Sequence, residues 1–320
     1  MIVTLTPNPN LDRTLHVETI SLGGVNRSRA SSVYPSGKGV NVSRMLAANG
    51  VGTLAIFPSG GPTGKEHARL LDEEGVPWRG TDMTSDVRSV ISVVEADGTL
   101  TQFNEAGPAL RDTEVAALVA ATLESAAQAQ FLVVSGSLPP GLDGRFYAEI
   151  IEAVAAVGTP TALDTSNPWL RESLPGGPAV VKPNVEELGQ LTGSSPRSIG
   201  DVIHLANELR ALGAQSVLAS MGEDGVVLVG EGLLVHGELE NSQIASVAGA
   251  GDALLAGYLA AGGGPGAVEE ALAWAAAACR EPGTAASKVN GADRATVKVH
   301  ASVDKSRQLR SRSQDVRGRG

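Results

Sequence analysis

The chain has 320 residues, 42% hydrophobic and 19% charged, enough apolar material for a sizeable core. Three Trp, three Tyr and four Phe leave that core to Ala, Val, Leu and Ile, and 39 Gly with 17 Pro stay below the share that marks low complexity; disorder, collagen and coiled coil are excluded as global readings. A net charge of −10 argues against nucleic acid as a partner, because binding a polyanion needs a basic face.

Residues 2–6 read as a short buried strand closed by Pro7-Asn8-Pro9, 40–49 as a helix, 53–57 as a strand and 62–74 as a helix stopped by Gly75. Residues 87–95 and 99–104 flank Ala96-Asp97-Gly98, and Asp-Gly is a strong hairpin signal. Beyond this, helices at 112–127, 144–157, 184–191, 200–212, 251–261 and 267–278 alternate with strands at 131–134, 161–164, 179–182 and 216–219. A second hairpin joins 225–229 to 233–236 across Gly230-Glu231-Gly232. Short apolar strands with helical crossovers predict an α/β fold whose mostly parallel sheet is covered on both faces.

Residues 12–35 break the rhythm with weak alternation around Gly23-Gly24, and read as a small antiparallel excursion forming a lid. The tail, 305–320, carries six Lys or Arg and almost nothing apolar; it reads as a disordered basic terminus, with a binding tail as the other reading. No apolar run reaches the ~18 residues of a membrane span, and Met1-Ile-Val-Thr-Leu-Thr-Pro lacks the pattern of a signal peptide. Cys279 has no internal disulfide partner and reads as a small buried residue rather than a reactive thiol. These features point to the cytoplasm.

Several familiar sites are missing. Gly64-Lys65 is followed by Glu66 and Gly37-Lys38 by Gly39, so neither is a P-loop; no Gly-x-Gly-x-x-Gly follows the first strand, and no histidine pair has zinc spacing. The positive signals are glycine-rich turns. Gly249-Ala250-Gly251-Asp252 lies directly ahead of a helix, where small residues let backbone N–H groups converge on a phosphoryl group or developing oxyanion; a plain loop is the alternative. Ser36-Gly37-Lys38-Gly39-Val40-Asn41 is a second such helix start: its glycines permit close approach of a sugar, Asn41 can bind hydroxyls and Lys38 can neutralise an anion. Lys182-Pro183-Asn184 follows a strand, and Asn184 with Glu187 puts an amide and a carboxylate on one helix face, suited to a hydrated Mg²⁺ or to simple capping. Ser135-Gly136-Ser137 and Ser220-Met-Gly222-Glu-Asp-Gly225 end two further strands. Polar turns at the carboxyl ends of parallel strands define one rim, where α/β sheets bind ligands.

In order, Thr6-Pro-Asn-Pro-Asn-Leu-Asp12, Gly37-Lys-Gly-Val-Asn41, Ser135-Gly-Ser-Leu-Pro-Pro-Gly141, Lys182-Pro-Asn184 with Glu187, Ser220-x-Gly222-x-x-Gly225 and Gly249-Ala-Gly-Asp252 resemble the PfkB (ribokinase-like) carbohydrate kinases over roughly residues 1–290. Gly-Lys-Gly and the Phe103-Asn104 pair look most like the 1-phosphofructokinase branch. The resemblance implies a three-layer α/β/α kinase domain over 1–304, a β lid from about 12–35 and 87–104, and ATP-dependent phosphorylation of a sugar phosphate. It implies Asp252 as base, kept ionised by its helix N-terminus, with Gly249, Ala250 and Gly251 holding the transferring group. Asp12, Gly37, Lys38, Gly39 and Asn41 would hold the sugar, with Arg88, Asn104 and Ser137 beside them; Lys38 and Arg88 would meet the existing phosphate at the end remote from Asp252. Lys182, Asn184, Ser220, Gly222, Gly225 and Gly283 would serve the nucleotide, and Asn184 and Glu187 Mg²⁺. Fructose 1-phosphate is the expected acceptor, with tagatose 6-phosphate and fructose 6-phosphate as alternatives and a homodimer through the lid as the expected assembly. A non-catalytic sensor on the same fold is the reading from another class; intact Asp252, Lys182, Asn184 and Glu187 count against it.

Overall fold

The computed structural model describes residues 1–240, 248–280 and 285–310. The first third runs β1 (Ile2–Leu5), β2 (Asn10–His16), β3 (Ala30–Ser36), α1 (Lys38–Ala48), β4 (Thr53–Ser59), α2 (Gly61–Glu73), β5 (Trp78–Asp82), β6 (Arg88–Val94) and β7 (Leu100–Asn104). Next come α3 (Asp112–Ala126), β8 (Phe131–Ser135), α4 (Gly144–Ala155), β9 (Thr161–Asp164), α5 (Trp169–Ser173), β10 (Val180–Val181), α6 (Val185–Thr192) and α7 (Ile199–Ala211). The chain continues through β11 (Val217–Ser220), β12 (Val226–Gly230), β13 (Leu233–Leu239), α8 (Ala250–Ala260), α9 (Val268–Cys279), α10 (Gly291–Ala295) and β14 (Val297–Val299).

The main sheet has the order β14-β13-β12-β11-β10-β9-β8-β1-β4-β5. From β5 to β11 every pairing is parallel, and β12, β13 and β14 continue it antiparallel. Its central strands are apolar on both faces because helices cover both. Val3, Leu132, Val134, Leu163, Val181 and Val217 pack with residues of α3, α4, α6 and α7, while Ile2, Val133, Ala162, Val180 and Leu218 pack with those of α1, α8 and α9. Successive side chains along a strand thus feed two cores, giving the three-layer arrangement. Leu163 is fully buried, and its truncation to Ala is expected to cost about 2–5 kcal/mol.

A separate four-stranded sheet, β3-β2-β6-β7, forms the lid. The 12–35 excursion is the β2–β3 hairpin, and the Asp97-Gly98 turn joins β6 to β7 as its chemistry required. Two edge strands are additions to the sequence reading. The β5 segment, Trp-Arg-Gly-Thr-Asp, has no apolar run, and β14 spans three residues.

One boundary differs. Residues 305–310, expected in a disordered tail, are docked against the start of α7. The carbonyls of Lys305 and Arg307 accept from Gly200 N and Ile199 N at 2.9 and 3.0 Å, and Leu309 N donates to Arg197 O at 2.8 Å. A helix's first N–H groups have no partner within the helix, so α7 offers this segment a ready set of donors. The rest of the expected tail, 311–320, lies outside the described residues. Among the described residues no helix is long and apolar enough to cross a membrane.

Candidate active site

Helix α8 begins at the carboxyl-end rim of the main sheet. Gly249, its N-cap, has φ +75°, a conformation that side chains disfavour, and Asp252 follows in the first turn, buried to 8% exposure. Asn41, one turn into α1, donates from Nδ2 to Asp252 Oδ2 at 2.8 Å, and its Oδ1 accepts from Ser36 Oγ at 3.3 Å. Two helices separated by 211 positions in sequence therefore fix one carboxylate.

Around it lies a charge cluster. Lys38 Nζ is 2.6 Å from Asp164 Oδ1 and 3.9 Å from Glu187 Oε1, and Lys182 Nζ is 3.1 Å from Asp164 Oδ2. Asp164 is buried at the end of β9, so one carboxylate bridges two ammonium groups. Burial alone would push Asp164 up, but Lys182 and Lys38 outweigh it and hold the carboxyl below the usual range. Burial would likewise favour a neutral Lys38, yet Asp164, Glu187 and Asp252 hold it above the ordinary lysine value. Asp252 is pushed up to about 6 by burial first and the Asp164 charge second, against Lys38, Asn41 and Lys182. The helix N-terminus favours the ionised form at some cost to its basicity; desolvation acts the other way and makes the carboxylate a better proton acceptor.

The structure brings Lys38, Asn41, Lys182, Glu187 and Asp252 together as the sequence predicts, but with two changes. Lys38 faces Asp164 beside Asp252 instead of the remote end. The glycines beside it answer to packing: a Cβ on Gly39 would lie 2.5 Å from Thr6 Oγ1 and 2.9 Å from Ser135 Oγ, and one on Gly37 would lie 2.7 Å from Thr6 Cγ2. They let α1 press onto the ends of β1 and β8. At Gly251 of α8 the space differs, since a Cβ there would meet, among the described residues, only Lys182, with Nζ at 3.3 Å. Asp164 is the residue that the sequence reading missed. Its signal was available: a lone charge closing the apolar strand Thr161-Ala-Leu-Asp164 at the ligand rim.

Asn184 and Glu187 form a capping box at α6, with Glu187 N donating to Asn184 Oδ1 at 2.8 Å and Asn184 N donating to Glu187 Oε2 at 2.9 Å. The capping bond uses Glu187 Oε2 and leaves Oε1 facing Lys38. The donors here are all oxygens, which fits a hard cation that keeps its water. Among the described residues no group of three or more His, Cys, Asp or Glu forms a complete protein cage.

A second group lies toward the lid. Arg88 donates to Asn8 O from Nε and Nη2 at 3.3 Å and to Glu105 O from Nη1 at 2.9 Å, and Asn8 Nδ2 reaches Ser137 Oγ at 3.3 Å and Ala106 O at 3.0 Å. Three of the five guanidinium hydrogens are used, leaving two for a ligand. Burial lowers the Arg88 pKa. Asp12 is buried on β2, accepts from Ser92 Oγ at 3.3 Å, and is pushed up by burial against that bond and Arg44. Asn104 pairs with Val90 at the end of β7 and is exposed, so it joins neither group in this arrangement. No hydrogen bond or ion pair among the described residues links the Arg88 group to Asp252. At the third corner, Ser220 bridges Asn184, and Gly222 and Gly225, with φ +63° and +81°, bound a tight turn. Gly283 lies outside the described residues.

Comparison with known proteins places this geometry. Residues 10–290 match the pfkB family carbohydrate kinases. The chain is similar to 1-phosphofructokinase of Bacillus subtilis (strain 168), 33% identical over 260 residues, covering 81% of this chain and 85% of that protein. It is also similar to 1-phosphofructokinase of Haloferax volcanii, 34% identical over 262 residues, covering 82% and 84%. Among solved structures, phosphofructokinase-2 from Escherichia coli superposes with a TM-score of 0.84 at 32% identity, over 92% of this chain and 96% of that one. That protein has also been solved in complex with fructose-6-phosphate.

Proposed function

This chain belongs to the pfkB family of carbohydrate kinases, and we propose that within it the protein transfers the γ-phosphoryl group of ATP to the 6-hydroxyl of fructose 1-phosphate, giving fructose 1,6-bisphosphate and ADP. The observation that carries the reading is the buried Asp252, fixed by Asn41 and pushed up to about 6. It takes the proton of the acceptor hydroxyl as the oxygen bonds to phosphorus and the bond to the leaving ADP oxygen breaks. The transition state is loose, so placing charges matters more than a strong base. The amides of the Gly249–Gly251 turn meet the phosphoryl oxygens, and Lys182, against Gly251, neutralises charge that builds toward the nucleotide. Asp164 bridges Lys182 and Lys38 and keeps that cation pair in place before substrate arrives. Mg²⁺, when bound, supplies further neutralisation across the phosphates, and Asn184 and Glu187 would hold it through water.

The acceptor's own phosphate needs a cation away from Asp252. Arg88, with Asn8 and Ser137, offers one at the lid end, and the relatives named 1-phosphofructokinase support fructose 1-phosphate as its owner. Fructose 6-phosphate is the second reading, favoured by the likeness to phosphofructokinase-2. The test is kcat/KM with ATP for fructose 1-phosphate, fructose 6-phosphate and tagatose 6-phosphate. A preference of about tenfold or more for fructose 1-phosphate, about 1.4 kcal/mol, is expected; an equal preference for a 6-phosphate overturns the acceptor assignment and leaves the kinase reading standing.

The lid is the proposed homodimer face. Its cross-strand row Val33–Arg13–Ile91–Phe103 leaves Ile91 and Phe103 exposed at 38% and 60%, apolar area that a second copy would cover. Phe103→Asp is expected to shift sedimentation to the monomer. The proposed working compartment is the cytoplasm.

A further inference from the structure

Beyond residue 290, where the family match ends, come α10, β14 and a strap over residues 300–310. The strap meets two buried carboxylates. Asp224 ends the turn that starts at Gly222, and Glu238 lies on β13; their side chains are 3% and 9% exposed. Arg307 sits between them, with Nη2 3.1 Å from Asp224 Oδ1 and 2.6 Å from Glu238 Oε2, and Nη1 3.0 Å from Glu238 Oε1. Arg310 N donates to Asp224 Oδ2 at 2.7 Å, and its guanidinium donates to Glu223 O at 3.3 Å. His300 Nε2 lies 2.8 Å from Glu238 Oε1 and its ring stacks on His236, whose Nε2 lies 2.9 Å from the Asp224 carbonyl.

The 222–225 turn is therefore held at its backbone and at its one buried carboxylate. Its other side is also fixed, since a Cβ on Gly225 would collide with the Gly237 carbonyl. Two carboxylates this close and this buried repel unless a cation stands between them; Arg307 is the nearer such cation, and the more exposed Arg310 guanidinium adds a second at 3.7 Å from each carboxylate. The backbone of the strap is tied in turn to the first residues of α7, and Val303 and Leu309 pack against the core. A segment anchored at both ends thus clamps one small turn.

We infer that the strap is a positioning element for the nucleotide: Arg307, through Asp224, sets where the Gly222–Gly225 turn stands and so how tightly ATP is held. This rests on the kinase reading above, in which that turn flanks the nucleotide. Arg307 touches no substrate, so its loss should act on nucleotide affinity and spare the chemistry.

The experiment compares wild type and Arg307→Met for steady-state turnover with fructose 1-phosphate and for calorimetric binding of ATP. Because removing one partner of a buried pair strands the other charge, the double variant Arg307→Met with Glu238→Gln is run beside it, with melting temperature as the check on folding. The expected result is a rise of about tenfold in KM and Kd for ATP in both variants, with kcat and KM for fructose 1-phosphate within about twofold, and partial recovery in Arg307→Lys. Folded variants with unchanged ATP affinity overturn the strap inference alone. So do variants in which both substrates' KM values rise together as melting temperature falls, the mark of a merely structural role. Wild type that neither binds ATP nor turns over any sugar phosphate overturns the kinase reading, and the inference with it.

Discussion

Two glycine-rich helix starts, at α1 and α8, look alike in sequence and differ in what their glycines do. At α1 the chain reads Gly37-Lys38-Gly39 and at α8 Gly249-Ala250-Gly251. A side chain at Gly39 would strike Thr6, Ser135 and the Leu5 carbonyl, at the ends of two central strands, whereas one at Gly251 would meet, among the described residues, only the side chain of Lys182. The first pair of glycines lets a helix pack; the second, in the proposed reading, takes the transferring phosphoryl group. A Gly-x-Gly ahead of a helix thus says that backbone must come close to something. Only the fold says whether that something is protein or ligand.

Substitutions sharpen this contrast. The largest effect is expected at the proposed base: Asp252→Asn keeps shape and the helix but removes the proton acceptor, and should lower kcat by about 10²–10⁴-fold with little change in substrate KM. Steady-state kinetics reads this directly, and near wild-type turnover would remove Asp252 from the chemistry. Next, Gly39→Ala overpacks the β1 and β8 ends and is expected to cost about 1–3 kcal/mol in urea denaturation. Gly251→Ala should do the reverse, leaving stability within about 0.5 kcal/mol while displacing Lys182 and lowering kcat by about tenfold. If Gly251→Ala unfolds the protein and Gly39→Ala only slows it, the roles of the two helix starts have been exchanged.

Most of the scaffold was legible because central strands of a two-sided sheet are continuous apolar runs, and residues 131–134, 161–164 and 216–219 announce themselves that way. Edge strands β5 and β14 were not, because their partners, not their composition, make them strands. In the site, Asp252 and Lys182 stand out in sequence through the turns that carry them, and the fold brings both beside Asp164. Asp164 was not singled out because its meaning depends on Lys38, 126 residues away. For the same reason the role of Lys38 was misplaced: a lysine after a glycine is chemically a candidate for any anion, and only the fold shows that its anion is Asp164. The tail was read from charge alone, which overlooked Leu309 as an anchor and Arg307 as a counterion to Asp224 and Glu238.

The central claim is that Asp252 is a base whose protonation is set by burial, by Asp164 and by Lys38, and the acidic limb of kcat/KM tests it most directly. Below about 6 Asp252 takes up a proton and can no longer accept one from the acceptor, so activity falls as pH drops through that value. Sugar phosphates also titrate with a pKa of about 6, so the limb in wild type alone is ambiguous, and Lys38→Met resolves it. Lys38 favours the charged carboxylate, and removing it should move the limb upward by about one pH unit, whereas a limb due to the substrate phosphate would stay in place. An upward shift in Lys38→Met is the expected result; a limb that does not move contradicts the account.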